Sequence, residues 1–108
     1  MIYKRGVVIH DLHPVFAEAI EDKGVIDMIF RRLAGRHGFV TSIRDEGHGP
    51  NSFHYYGRAG DWRTNDMTTE AKRRAEQEMQ EELGDDWTVR LEFENKPQEH
   101  IHAQYEGD

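Results

Sequence analysis

Along residues 69–94 the apolar spacing changes once, at Gly84, and that change limits the folds open to the chain. Before it, Ala71, Ala75, Met79 and Leu83 recur at every fourth position, which is a narrow apolar row on a helix. After it, Trp87, Val89, Leu91 and Phe93 alternate with Thr88, Arg90, Glu92 and Glu94, the period of a strand with one face in the core and one in water. The pattern predicts a helix over 69–83, stopped by glycine, followed by a half-buried strand. Both elements have one apolar side, and a sheet covered by helices satisfies both.

The rest of the chain adds elements of the same two kinds. A short helix is expected over 14–20, with Pro14 in its first turn, and Asp22-Lys23-Gly24 breaks it. Ile26, Ile29, Phe30 and Leu33 stand at i, i+3, i+4 and i+7, so a second helix is expected, ending at Gly35. Residues 39–43, in "GFVTSIR", read as a strand. The glycine-rich, polar and aromatic stretch 45–57, "DEGHGPNSFHYYG", reads as a loop, with a strand around 58–63 behind it. "NKPQ" turns the chain into a last strand, "HIHAQY", which places His100 and His102 on one face and Ile101 on the other, core-facing one. Helices and strands in this mixture predict one α+β domain over 1–108, with a mainly antiparallel sheet and helices packed on one face.

Composition removes several classes of function. Of 108 residues, 32% are charged and the net charge is −7, and the basic residues sit beside acids, as in "EAKRRAEQEMQEE". A nucleic-acid binder gathers Lys and Arg on one face, so no nucleic-acid partner is expected. The absence of cysteine excludes disulfides, thiolate nucleophiles and Cys-ligated metals. The opening "MIYKRGVVIHDLHP" has too short an apolar run for a signal peptide, and no stretch has the length of a membrane span. A cytoplasmic monomer with no membrane partner is expected on synthesis.

Seven histidines are many for this length, and two segments hold the informative ones. "SFHYYGRAGD" carries His54 and Asp61, and "EHIH" spans 99–102. Two imidazoles and one carboxylate suit Zn²⁺ and leave a fourth position for water, as catalytic zinc sites do. By spacing alone the same residues also fit a set of unrelated surface polar groups.

The pattern "S-x-H-x-x-G-x-A-x-D", followed further on by "E-x-x-H", resembles the zinc D-alanyl-D-alanine peptidases. That group includes vancomycin-resistance dipeptidases, many phage endolysins and the structurally related Hedgehog signalling domain. The wording "TSIRDEGHGPNSFHYYGRAGDWR" and "EHIHAQY" is most similar to the small phage members, and the likeness covers 39–63 and 99–105 closely. The resemblance implies a Hedgehog/DD-peptidase-like fold. It also implies a zinc metallopeptidase acting on peptidoglycan peptide, as a D,D-carboxypeptidase or an endolysin-type endopeptidase of phage or prophage origin. Such an enzyme reaches the wall when released by a holin or carried by a virion.

Residue by residue, the resemblance makes His54, Asp61 and His102 the zinc ligands and Glu99 the catalytic acid/base. Arg44 would steady the substrate carbonyl or oxyanion, although an ion pair with Asp45 or Glu46 is an equal reading. His100 would add a donor, and Ser52 and Gly57 would shape the loop. His48, Tyr55 and Tyr56 sit close enough in sequence to touch substrate or simply to pack. Two positions depart from the family: Gly60 replaces a branched apolar residue and Trp62 a smaller aliphatic. Either ligand placement around Asp61 differs, or Trp62 makes up for the missing side chain. The rival expectations are a non-catalytic, zinc-stabilised binding or virion structural module, and a hydrolase of another peptide amide.

Overall fold

Each helix starts and stops at a residue suited to the task. The Thr68 hydroxyl accepts from the Ala71 N–H at 3.1 Å and caps the helix Thr69–Leu83, which ends at Gly84. A shorter helix, Val25–Ala34, ends at Gly35 in the left-handed conformation, φ 69°. The shortest, Pro14–Ala19, begins at His13, whose ring nitrogen accepts from Val15 N–H at 3.2 Å. The computed structural model describes residues 1–7, 9–22, 24–43 and 57–107. In chain order its elements are β1 (Ile2–Tyr3), α1 (Pro14–Ala19), α2 (Val25–Ala34), β2 (Phe39–Ser42), β3 (Ala59–Arg63), α3 (Thr69–Leu83), β4 (Trp87–Glu92) and β5 (His100–Tyr105).

The five strands form one sheet in the order β1-β2-β3-β5-β4. β1 and β2 run parallel, and the other three pairings are antiparallel. The domain is therefore α+β with a mixed, mainly antiparallel sheet. On β5, Ile101, Ala103 and Tyr105 are buried while His100, His102 and Gln104 are half-exposed, the alternation read from the sequence. The buried side joins Phe16 of α1, Ile26, Ile29 and Phe30 of α2, Met79 of α3, and Val40 and Trp62 of the sheet in one core. Burying each such side chain contributes about 1.5–3 kcal/mol. Phe16 sits against two indoles, with ring centroids 6.4 Å from Trp62 and 5.9 Å from Trp87, and so fastens α1 to the sheet. Among the described residues, no helix is long and apolar enough to cross a membrane.

Four details differ from the sequence pattern. Phe93 does not continue the buried face of β4; it lies past the strand end, has φ 55° and is 51% exposed. Its carbonyl accepts from Lys96 N–H at 3.0 Å, so the turn begins there, and the left-handed backbone reverses the alternation. On α3 the buried row is Lys72, Ala75 and Met79, with Ala71 and Leu83 only half-covered. Glu76 and Gln80 are not simply solvated. Gln80 Oε1 accepts from Val89 N–H at 2.9 Å, Gln80 Nε2 donates to Trp87 O at 2.8 Å, and Glu76 accepts from Leu91 N–H. β1 is a further element, two residues long and paired with β2.

Trp62 takes the place of the side chain missing at position 60. A Cβ built on Gly60 would stand 2.8 Å from Trp62 Cη2 and 3.1 Å from Phe16 Cζ. The indole lies over the glycine on the core face, and Asp61, between them in sequence, is left to the opposite face. Gly60→Val should therefore cost about 1–3 kcal/mol by overpacking. In denaturant unfolding, combining it with Trp62→Leu should give a double variant more stable than the sum of the single losses predicts.

Candidate functional site

The solvent-facing side of the sheet collects polar groups from its three neighbouring strands β3, β5 and β4. Asp61 of β3 stands directly opposite His102 of β5, and Arg63 opposite His100. Directly opposite residues on an antiparallel pair have Cβ atoms only ~4.5–5.5 Å apart, so register alone brings Asp61 and His102 into reach. The Asp61 Oδ1 to His102 Nδ1 distance is 2.8 Å, and His102 Nε2 is 2.7 Å from Gln104 Oε1. Burial works against a charge on the His102 ring, but the Asp61 carboxylate and Gln104 outweigh it and hold the ring above its ordinary pKa. A metal ion would compete with that proton.

His100 belongs to the same cluster by way of β4. Its Nε2 is 3.0 Å from Glu92 Oε1 and 3.7 Å from Asp61 Oδ1, and its Nδ1 is 2.8 Å from the Gln98 carbonyl. The Gln98 carbonyl accepts only, which fixes Nδ1 as a donor and turns Nε2 toward the carboxylates. The Phe93 ring, displaced from the core by its left-handed backbone, packs 5.8 Å from the imidazole.

Glu99 precedes β5 and is buried, 4% exposed. Thr64 Oγ1 donates to its Oε1 at 2.6 Å, while Lys72 Nζ at 2.7 Å and Asn95 N–H at 2.6 Å both donate to Oε2. Lys72 also donates to Asn95 Oδ1 at 2.9 Å. Burial pushes the Glu99 carboxyl up, but the bonds from Lys72, Thr64 and the Asn95 amide outweigh it and hold its pKa below the usual carboxylate value. The pair is buried on both sides, with Lys72 and Glu99 side chains 4% and 1% exposed.

Of the residues named from the sequence, the structure brings Asp61, His100 and His102 together on one face. The hydrogen bonds of Glu99 go to Thr64, Lys72 and Asn95 and not to those three. His54, Arg44, Ser52, His48, Tyr55 and Tyr56 lie outside the described residues. Gly57 has φ 67°, and a Cβ there would meet the Asp11 carbonyl oxygen at 2.6 Å. Its own carbonyl accepts from His13 N–H at 3.0 Å, so this glycine turns closely against the segment ahead of α1.

Sequence reasoning missed Glu92, Thr64, Gln104 and Lys72. Lys72 alone left a signal: it stands three and seven residues before Ala75 and Met79, inside the apolar stripe. A lysine there calls for a buried acid.

The donor set fits zinc in part. One oxygen and one imidazole nitrogen are ligands that zinc takes at about 2.0–2.2 Å, which sets two ligands of one tetrahedral ion about 3.4 Å apart. The 2.8 Å hydrogen bond of Asp61 and His102 is within an ångström of that. Among the described residues no group of three His, Asp or Glu side chains could hold a metal. The third ligand named from the sequence, His54, lies outside them. Searches of family models, curated proteins and solved structures find no match to this chain.

Two outcomes follow for the Glu99 network. Glu99→Ala leaves a buried ammonium without its carboxylate and should cost about 3–5 kcal/mol in urea unfolding. The folded carboxyl titrates below the ordinary 4.5, so its contribution is complete above that value and is lost as the pH falls through the folded pKa. Wild-type stability should fall in that acid range, and Glu99→Gln should show a flatter acid limb.

Proposed function

We propose that the chain is a zinc-dependent peptidase of the Hedgehog/DD-peptidase type, which hydrolyses an amide bond in peptidoglycan peptide. The cross-strand pair of Asp61 and His102 carries this reading, since it puts two of the three ligands named from the sequence 2.8 Å apart on the half-buried outer face of the sheet. The α+β architecture with a mainly antiparallel sheet supports it. So does the order of the chain, in which "SFHYYG" runs directly toward β3.

In this reading His54, Asp61 and His102 hold the ion. When bound, zinc supplies a Lewis acid for the scissile carbonyl and lowers the pKa of a water to about 7. Asp61 and His102 lie on adjacent strands, so backbone hydrogen bonding fixes their spacing before any ligand arrives. His100 lies on the same face with both ring nitrogens engaged, by the Gln98 carbonyl and Glu92, so to serve a developing oxyanion its Nε2 would have to exchange the Glu92 contact for it. Arg44 would complement that charge.

Glu99 is the acid/base in the assignment drawn from the resemblance, and its depressed pKa keeps it in the proton-accepting form. To act, it must trade a bond from Lys72 or Thr64 for one to the reacting water. A second assignment has a specific observation behind it. Glu92 is on the strand next to β5, partly exposed, and 3.0 Å from His100. In that version Glu92 moves the proton, and Glu99 with Lys72 holds the strand ends in place.

The test is amine release from purified peptidoglycan together with zinc content per chain. One zinc per chain and release of amines are expected, with both lost in Asp61→Asn and His102→Ala. Glu99→Gln and Glu92→Gln are then compared at equal zinc content, and the one that loses about 10²-fold or more in rate is the acid/base. Zinc retained without amine release would point to a binding or virion structural module, and a chain that holds no zinc would end the reading.

A further inference from the structure

The helical side of the sheet carries an apolar trough walled by α1, α2 and the end of α3. Two adjoining recesses of about 400 and 360 Å³ form it, and they share Val25, Met28 and Glu82. We propose that this trough docks a basic amphipathic helix of a partner protein, which lays its apolar stripe along α2 and its lysines or arginines against the acidic rim. The proposal does not rest on the peptidase reading. The trough and the Asp61–His102 pair lie on opposite sides of the sheet, so a docked partner leaves the outer face open.

Shape comes from the exposed apolar groups. Met28 is 59% exposed and Val15 38%, large hydrophobic side chains that the fold leaves in water. Ala19, Val25 and Leu83 are half-buried around them, and Trp87 closes the floor. On α2 the lining residues Val25, Met28, Ile29 and Arg32 stand at i, i+3, i+4 and i+7. The trough therefore follows about two helical turns, roughly 10.5 Å. A partner helix with apolar residues at the same spacing presents a stripe of that length. Methionine suits the centre of such a site, because its unbranched, polarisable side chain repacks around what it meets.

Charge selects the partner. The larger recess holds Glu18, Glu21 and Glu82 and no basic residue. Among the described residues, which leave out Lys23, none of these three carboxylates has an ion pair or a side-chain hydrogen bond. In the other recess the one cation, Arg32, is held by Glu78.

The fold accounts for Glu21, which stands just ahead of α2, where a carboxylate complements the positive end of the helix. It does not account for Glu18 and Glu82. Each stands in the last turn of its helix, α1 and α3, and neither helix has a basic residue there. Carboxylates at that end oppose the negative pole of the helix, so the fold gives up stability to keep them. A lysine or arginine brought to them turns that repulsion into attraction. The same acids repel a second copy of this chain, whose net charge is −7, and an anionic membrane surface.

The test is an NMR titration of the full chain with a synthetic helix that has leucine at i, i+3, i+4 and i+7 and lysine elsewhere. One control peptide has glutamate in place of lysine, and another has alanine in place of leucine. Amide shifts should concentrate at Val15, Ala19, Val25, Met28 and Leu83, with binding roughly tenfold or more weaker for both controls. Glu18→Gln combined with Glu82→Gln should weaken the lysine–leucine peptide several-fold, as loss of two exposed ion pairs does. The same double variant should raise the Tm of the free chain by about 2 °C or more. Those opposite effects separate a docking surface from acids that serve the fold. Met28→Gln should also weaken the peptide while leaving the circular dichroism spectrum unchanged. No binding, shifts spread over the acidic surface, an alanine or glutamate control that binds as tightly, or binding unmoved by these variants would overturn the site. So would a dimer in sedimentation equilibrium that Met28→Gln dissolves, since a second copy would then fill the trough.

Discussion

Lys72 and Glu99 bring opposite charges into a place where neither is stable alone, and much of the working end of the molecule is arranged around that pair. Desolvating a lone ion of this kind costs several kcal/mol, and only a close partner with further hydrogen bonds offsets it. Thr64, Asn95 and the paired charge itself supply those bonds. The elements joined are the first turn of α3, the segment just past β3, the turn after β4 and the residue just before β5. Because Glu99 is pinned, β5 begins at a fixed point, and its register against β3 follows. Asp61 meets His102, and Arg63 meets His100, as a result of that register.

Most elements were legible in the sequence because their signals are local. The four-residue apolar row and the glycine at 84 mark α3, and the two-residue period marks β4 and β5 from the side chains alone. The shared face of His100 and His102 was legible for the same reason. What was not legible depends on partners far along the chain. β1 is two residues long, too short for any period, and exists because β2 lies beside it. Lys72 shows in the sequence as a lysine inside an apolar stripe, but that its acid is Glu99, twenty-seven residues on, comes only from the fold. Phe93 follows the strand period perfectly, and only the turn closed by Lys96 takes it out of the core. Glu92 has the composition of an outward-facing strand residue, and its link to His100 depends on how β4 and β5 align.

The sheet divides the labour between its faces. One side is given to aromatic and aliphatic packing that includes Trp62, Phe16, Ile101 and Met79. The other is given to charges and imidazoles. Position 61 sits at the hinge of that division. Gly60 and Trp62 solve a packing problem on the inner face, so the residue between them is free to serve the outer one.

The row of Gln80 and Glu76 along α3 has a consequence for how this molecule behaves in a crowd. β4 is an edge of the sheet, and an edge strand ordinarily offers its outward amides and carbonyls to any extended chain that drifts past. Here two helix side chains already occupy the Trp87 carbonyl and the Val89 and Leu91 amides, standing in for the sixth strand that is not there. A neighbouring molecule seeking to zip itself on along this side finds those backbone groups taken. The same residues that a helical wheel would place among the solvated ones thus act as a guard against fibrous aggregation.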